Sequence, residues 1–429
     1  MEKIVSPGFL NGTLRMLPSK SASHRAVMMA AMAEGKTTLE PLQLSRDIEA
    51  TLSCAEALGL THGAALAPSD TAGFVRAEIY GGDAEESRAL RELDCGESGS
   101  TLRFFIPLAL DGRGAVRFKG HGRLMQRPLS VYEEIFKPRG MLWKQEGDTL
   151  TVDGQLKSGR YEIPGDVSSQ FITGMLLALP RLRGDSLLEI TTPLESCGYV
   201  ELTRRVQAHY GVVSEWKERD RFLFIPGGQR AVSPGTLRIG GDWSHAAFYL
   251  VAGAIGQGEI RLTGLDSHSA QGDRALVEIL RDMGADIRWE GGELAARASK
   301  LHGLHVDCAQ IPDVVPALAV AMAAADGESR IIGAARLRIK ESDRLSAMCA
   351  ALSAAGADIR ELEDGLLIRG GKRLHAATIN GCNDHRIVMA MTIASAISDG
   401  ELTITDAEAT AKSAPAFWDE FTSLGGQAR

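Results

Sequence analysis

Leu280-Arg-Asp-Met-Gly284-Ala-Asp-Ile287 returns 72 residues on, counted from Gly284 to Gly356, as Leu352-Ser-Ala-Ala-Gly356-Ala-Asp-Ile359. In both, a helical pattern ends on a glycine and a short β-type run follows. Read outward, this glycine belongs to a series of six: Gly59, Gly140, Gly211, Gly284, Gly356 and Gly425, each closing the second helix of a repeat. A companion series is Gly35, Gly112, Gly184, Gly258, Gly327 and Gly400. It follows the Ala/Met/Leu/Val-rich runs that begin near Ser21, Ser98, Ser168, Ser244, Val314 and His385. The spacings of that series are 77, 72, 74, 69 and 73 residues. A fixed period of this length marks a duplicated supersecondary unit. The chain therefore reads as six copies of one unit, in two sets of three. The glycines that close helices are expected to supply left-handed C-caps.

Each copy reads as helix, strand, helix, strand. In the first, Ser21 to Ala33 has a helix pattern, Lys36 to Leu39 a strand pattern and Asp47 to Leu58 a second helix pattern. Ser, Asp or Asn at the helix starts offers acceptors for free backbone N–H groups. Alternating or β-branched runs such as Glu259-Ile-Arg-Leu262 and Glu401-Leu-Thr-Ile-Thr405 predict strands. The alternation places the chain in the α/β class (α+β by some schemes). Pro and Gly punctuate Leu17-Pro18-Ser19-Lys20 and Ile239-Gly240-Gly241-Asp242, directly before repeat helices. Chain crossings there, near 17–20 and 239–242, divide the repeats three and three. They give one lobe of residues 1–19 plus 241–429 and a second of residues 20–240.

The bulk numbers narrow the function. A chain of 429 residues exceeds one simple core. With 44% apolar and 24% charged residues it is an ordinary globular composition. The net charge of −8 argues against nucleic acid as a partner. It also makes any anion site a local feature, since the overall field repels anions. The six cysteines are scattered, without Cys-x-x-Cys or zinc-type spacing, and read as reduced thiols. The start Met1-Glu-Lys-Ile-Val-Ser-Pro-Gly has no signal-peptide character, and every apolar run breaks short of a membrane span. A cytoplasmic protein that uses no membrane and no metal is expected.

Polar or charged clusters stand just ahead of the apolar helices, where helix N-termini bind anions. Ser19-Lys20-Ser21-Ala-Ser23-His24-Arg25 puts a lysine at a helix start and an arginine one turn in. Cys95-Gly96-Glu97-Ser98-Gly99-Ser100-Thr101-Leu-Arg103 is a Gly/Ser-rich turn that can expose N–H groups to an anion. Gly122-Arg123-Leu-Met-Gln-Arg127-Pro128 sets two arginines four apart. Val167-Ser168-Ser169-Gln170 offers three hydrogen-bonding side chains, and Ser196 lies in the loop beyond that repeat. Taken singly, each is equally well a capped helix start or a solvated basic face. The strongest cluster is Arg336-Leu-Arg338-Ile-Lys340-Glu341-Ser342-Asp343-Arg344, between a strand pattern and a helix pattern. A carboxylate inside it is a proton-transfer candidate. Ile311-Pro312-Asp313, Asn383-Asp384-His385-Arg386 and Lys412 precede helices in the last repeats. No second His or carboxylate stands at metal-ligand spacing from His385. Lys20, Arg25, Arg103, Arg123, Arg127, Lys340, Arg344, Arg386 and Lys412 all fall at or near equivalent repeat ends. Together they predict a deep cationic cleft lined from both halves of the molecule.

In this order and at these separations, the motifs resemble the enolpyruvyl transferase family, and within it the 5-enolpyruvylshikimate-3-phosphate synthases. The resemblance spans residues 1 to 429. It implies two similar lobes, each three repeats of a βαβαββ unit with helices packed inside the sheets, and a first strand that belongs to the C-terminal lobe. It also implies transfer of the enolpyruvyl group of phosphoenolpyruvate to the 5-hydroxyl of shikimate 3-phosphate. Phosphate is released by addition and elimination, without metal or organic cofactor. By resemblance, Lys20, Ser21, Arg25, Ser168, Ser169, Gln170, Ser196, Asp313 and Lys340 hold shikimate 3-phosphate. Lys20, Gly99, Arg123, Gln170, Arg344, Arg386 and Lys412 hold phosphoenolpyruvate. Asp313 is expected to take the hydroxyl proton, and Glu341, assisted by Lys20, to exchange the methylene proton. A monomer with these two small-molecule partners is expected.

The chain departs from the family's usual pattern in places. Pro18-Ser19-Lys20-Ser21 is one glycine shorter than the usual Pro-Gly-Ser-Lys-Ser. Glu97-Ser98-Gly99-Ser100 stands for Asn-Ala-Gly-Thr, and Gly241-Asp242-Trp243-Ser244-His245 for Gly-Asp-x-Ser-Ser. The glutamate needs a partner, for which Arg336 is a candidate. Relatives that act on UDP-N-acetylglucosamine carry a cysteine in the loop matching Lys119–Arg127, and this loop has none. A binding protein on the same scaffold is the alternative from another class.

Overall fold

The computed structural model describes residues 1–82 and 90–429. Twelve α-helices occur among them. Six open the repeats: α1 (Lys20–Met32), α3 (Gly99–Ala109), α5 (Ser169–Ala178), α7 (Trp243–Ile255), α9 (Val315–Ala324) and α11 (His385–Ile393). Six follow them: α2 (Arg46–Ala57), α4 (Ser130–Phe136), α6 (Cys197–His209), α8 (Leu276–Asp282), α10 (Arg344–Ala354) and α12 (Phe417–Ser423). The opening helices are interior. Every residue from Trp243 to Ala254 of α7 is buried, and every residue from Val315 to Ala323 of α9. A helix apolar on all sides has no solvent face to present. Each fully buried Leu, Val or Met contributes about 1.5–3 kcal/mol. α7, α9 and α11 pack on one another, while α3 packs on α5 and α1 on α2 and α6.

Five four-stranded sheets share one order, and a sixth has three strands. The second repeat shows the pattern. Arg91–Asp94, which leads into α3, runs parallel to Val116–Lys119, which leaves it. Thr149–Asp153 then pairs antiparallel with Val116–Lys119, and Leu142–Glu146 with Thr149–Asp153. This is the βαβαββ unit.

The first and fourth repeats exchange their leading strands. Gly12–Arg15 leads into α1 but pairs in parallel with Glu259–Thr263 of the fourth repeat. Thr236–Arg238 precedes α7 but pairs in parallel with Gly35–Leu42 of the first. The exchange closes each set of three repeats on itself. It leaves two compact units, residues 1–17 with 240–429, and residues 18–239. The sixth repeat is completed by the chain ends. Ala377–Ile379 lies parallel to Leu402–Ile404, whose antiparallel partner is Lys3–Val5, and Val5 bridges to Ala428.

The two glycine series differ in cause. All six glycines of the Gly284 series have positive φ, the left-handed closure expected of them. In the other series only Gly35, Gly112 and Gly327 do. Gly258 and Gly400 are needed for space instead. A Cβ would stand 2.4 Å from the Leu10 carbonyl oxygen at Gly258, and 2.7 Å from the Ala376 nitrogen at Gly400.

Candidate active site

In the unit of residues 1–17 and 240–429, Arg344 is the first residue of α10, and its side chain is 2% exposed. Its Nε donates to Asp384 Oδ2 at 2.8 Å, and its Nη1 to Asp313 Oδ1 at 3.0 Å. Nη2 donates to Glu341 Oε2 at 2.7 Å and Asp384 Oδ1 at 3.2 Å. One guanidinium thus holds three carboxylates from three segments. Asp384 is the N-cap of α11 and accepts from the Arg386 backbone N–H and the Ser342 hydroxyl, both at 2.9 Å. Asp313 lies on the 3-10 turn Pro312–Val314 that leads into α9. Lys340 Nζ stands 3.7 Å from its carboxylate and Arg386 Nη2 3.5 Å. Arg386 Nη1 also donates to the Asp313 carbonyl oxygen at 2.9 Å. Lys412, 4% exposed, donates to the Asn383 carbonyl oxygen at 2.7 Å.

Electrostatics gives these groups distinct states. Burial pushes the Asp313 carboxyl up, but Arg386, Lys340 and Arg344 together outweigh it and hold it well below the usual carboxylate range. Asp313 is therefore ionised, and its cations compete for its charge. Burial pulls the Lys340 ammonium down to about 8, with Asp313 opposing. Asp384 is held below its ordinary value, burial being outweighed chiefly by Arg344. Asp273, 1% exposed, accepts the Ser244 hydroxyl and is pushed up to about 6 by burial and by the Asp313 charge.

In the unit of residues 18–239, Ser19 caps α1, accepting from the Ala22 N–H at 3.3 Å. Lys20 begins that helix and pairs with Asp47 Oδ2 of α2 at 3.1 Å. Arg25 is 2% exposed and turned inward. It donates to Thr203, the Ser21 carbonyl, Thr173 and the Tyr199 carbonyl at 2.7–3.2 Å. Ser98 caps α3 and Ser168 caps α5. Gln170 joins those two helix starts: its Nε2 donates to Ser100 Oγ at 3.0 Å and its Oε1 accepts from Arg103 Nη1 at 2.6 Å. Ser169 is buried beside it, and Ser196 is buried with φ 55° just before α6. Gly99 opens α3 under the Arg127 guanidinium. A Cβ on Gly99 would lie 2.7 Å from Arg127 Nη1. Arg123 is exposed, whereas Arg127 is 8% exposed. The Glu97 carboxylate packs on Gly122, whose Cβ position is 2.7 Å from Glu97 Oε2.

Each unit thus gathers anion-seeking helix starts with buried cations. A family model described as EPSP synthase (3-phosphoshikimate 1-carboxyvinyltransferase) matches residues 4–421. The chain belongs to the EPSP synthase family. Among its curated relatives, a 3-phosphoshikimate 1-carboxyvinyltransferase of Clostridium novyi is 42% identical, covering 99% of this chain and 98% of that protein. One of Clostridium kluyveri is 41% identical, covering 99% and 97%. A solved EPSP synthase from Acinetobacter baumannii matches with a TM-score of 0.78 at 25% identity over the full length of both chains. The enolpyruvyl transferase NikO from Streptomyces tendae shares the fold, with a TM-score of 0.78 at 17% identity. The fold is the two-lobed enolpyruvyl transferase fold.

Arg344 and Arg386 stand already paired with carboxylates, partners that the deep cationic cleft expected of the sequence did not include. Arg336 donates to the Ala309 carbonyl oxygen at 2.6 Å. Three residues escaped sequence reasoning. Asp47, partner of Lys20, reads as an ordinary acid in a helix's first turn. Asp273 sits in a plain Gln271-Gly272-Asp273 turn. Thr51 carries no local signal at all. Among the described residues no group of His, Cys, Asp or Glu is placed to hold a metal ion, and no helix is long and apolar enough to cross a membrane.

Proposed function

We propose that this protein transfers the enolpyruvyl group of phosphoenolpyruvate to the 5-hydroxyl of shikimate 3-phosphate, with release of phosphate, as a cytoplasmic monomer. Family membership supports the activity, and one observation carries the assignment of roles. Arg344 bridges Asp313 and Glu341, so a proton-accepting carboxylate and a second acid are fixed on one buried cation. Asp313 takes the proton of the 5-hydroxyl as its oxygen attacks C2 of phosphoenolpyruvate. Glu341, assisted by Lys20, delivers a proton to the methylene carbon, which becomes a methyl group. The tetrahedral adduct then loses that methyl's proton and its phosphate, restoring the double bond.

Two anions repel, so their charges need neutralising before carbon and oxygen approach. Shikimate 3-phosphate is assigned to Lys20, Ser21, Arg25, Ser168, Ser169, Gln170, Ser196, Asp313 and Lys340. Phosphoenolpyruvate is assigned to Lys20, Gly99, Gln170, Arg344, Arg386 and Lys412. Of the two arginines in the Arg123–Arg127 turn, burial against Gly99 favours Arg127 for this second set. Phosphate release with both substrates tests the reading. Release with shikimate 3-phosphate and none with UDP-N-acetylglucosamine supports it. Silence with both supports a binding protein.

A further inference from the structure

A line of buried side chains in the 18–239 unit runs from α1 through α2 to the turn before α3. His24 Nδ1 stands 2.7 Å from Thr51 Oγ1. Thr51 Oγ1 donates to the Asp47 carbonyl oxygen at 3.0 Å and stands 2.8 Å from Thr101 Oγ1. Thr101 Oγ1 stands 2.7 Å from Ser98 Oγ, the cap of α3. His24, Thr51, Thr101 and Ser98 are each at most 1% exposed. The Asp47 carboxylate, on the same first turn of α2, holds Lys20.

A hydroxyl has one hydrogen to give and two lone pairs. Thr101 Oγ1 donates to Ser98 Oγ, which also accepts the Thr101 backbone N–H at 3.2 Å. Thr51 stands between Thr101 and His24 Nδ1, and both threonine hydroxyls approach the Asp47 carbonyl oxygen. Burial, with Lys20 and Arg25 nearby, opposes a second proton on His24.

We propose that Thr51 is a positioning residue for the phosphoenolpyruvate subsite, holding the Lys20–Asp47 pair and the Ser98–Gly99 turn in register with each other. The inference rests on the reading that Lys20 and Gly99 both meet phosphoenolpyruvate. It predicts a larger effect on phosphoenolpyruvate, because Lys20 and Gly99 both belong to its set, whereas of the groups assigned to shikimate 3-phosphate only Lys20 is tied to this line of side chains.

Steady-state kinetics of Thr51→Val, Thr51→Ser and Thr101→Val decide it. Thr51→Val and Thr101→Val should each raise KM for phosphoenolpyruvate about tenfold, the scale of one or two buried hydrogen bonds, with KM for shikimate 3-phosphate within about twofold of wild type. Thr51→Ser, which keeps the hydroxyl, should stay near wild type. Nitrogen-15 NMR of labelled histidine should show His24 neutral in wild type, with its Nδ1 resonance altered in Thr51→Val. An active wild type with unchanged KM in both valine variants overturns this inference alone, as does an equal rise in both KM values. A wild type silent with both substrates brings it down together with the assignment of the site.

Discussion

Arg344 Nη1 donates to Asp313 Oδ1 at 3.0 Å, from a side chain that is 2% exposed. The contact ties the start of α10 to the turn before α9, and the same guanidinium carries Glu341 and Asp384. A buried carboxylate held ionised in this way can take a proton from a bound hydroxyl only when substrate redistributes its cations. Arg344 is thus a structural tie and, on the proposed roles of Asp313 and Glu341, the organiser of the acid–base pair.

Arg344→Met should leave Asp384 buried with its main counter-charge gone. Breaking such a pair costs about 3–5 kcal/mol, readable as a lower urea midpoint. Adding Asp384→Asn removes the stranded charge and should recover part of the loss. Equal stability of wild type and Arg344→Met would show that the cluster contributes nothing to folding.

Glu341→Gln should lower kcat by about two to four orders of magnitude, the usual weight of a positioned acid–base group. Affinity for shikimate 3-phosphate, measured by calorimetry, should change little. Near-normal turnover removes Glu341 from the proton transfer.

Lys340 makes affinity and stability respond to pH in opposite directions. Burial brings its ammonium down to about 8 in the folded protein, against about 10.4 unfolded. Between those values the unfolded chain binds more protons, so this group's contribution to stability rises with pH across that window. An anionic substrate favours the charged form. Affinity for shikimate 3-phosphate should therefore fall as pH rises through 8, and binding should take up a proton there. Calorimetry in buffers of different ionisation enthalpy measures the uptake, and Lys340→Arg should abolish it. Pronounced uptake in the arginine variant would assign the proton elsewhere.

Arg127→Ala should raise KM for phosphoenolpyruvate about ten- to a hundredfold, the scale of a lost charge-assisted hydrogen bond. Arg123→Ala should change it little, since that side chain is exposed. The reverse order would return the subsite to Arg123.

The fold and site were legible in the sequence to different depths. The repeat was plain because each copy needs a glycine at the same closure, and the Gly284 series has positive φ throughout. The clusters at Lys20, Gly99, Ser168, Asp313, Lys340 and Asp384 were plain because a helix start needs caps. The strand exchange between Gly12–Arg15 and Thr236–Arg238 was not readable from local pattern, since strand pairing is long-range; only the resemblance, which puts the first strand in the C-terminal lobe, pointed to it. Nor was the different burial of Arg127 and of Arg123, which the resemblance assigns to phosphoenolpyruvate, readable from two like charges four apart. It depends on the 3-10 turn Leu124–Gln126, which buries one and exposes the other. Charge counting also saw the cations without their partners. Pairing is a long-range property, as Lys20 with Asp47 and Arg344 with Asp384 show.

The central claim is that carbon is protonated and the carbon–oxygen bond of phosphoenolpyruvate is cleaved. Mass spectrometry of products formed in deuterium oxide, from phosphoenolpyruvate labelled with oxygen-18 at the bridging position, tests it directly. The predicted result is deuterium on the methylene carbon of the enolpyruvyl product and the heavy oxygen in the released phosphate. Phosphate without the label, with no deuterium in the transferred group, would contradict the mechanism.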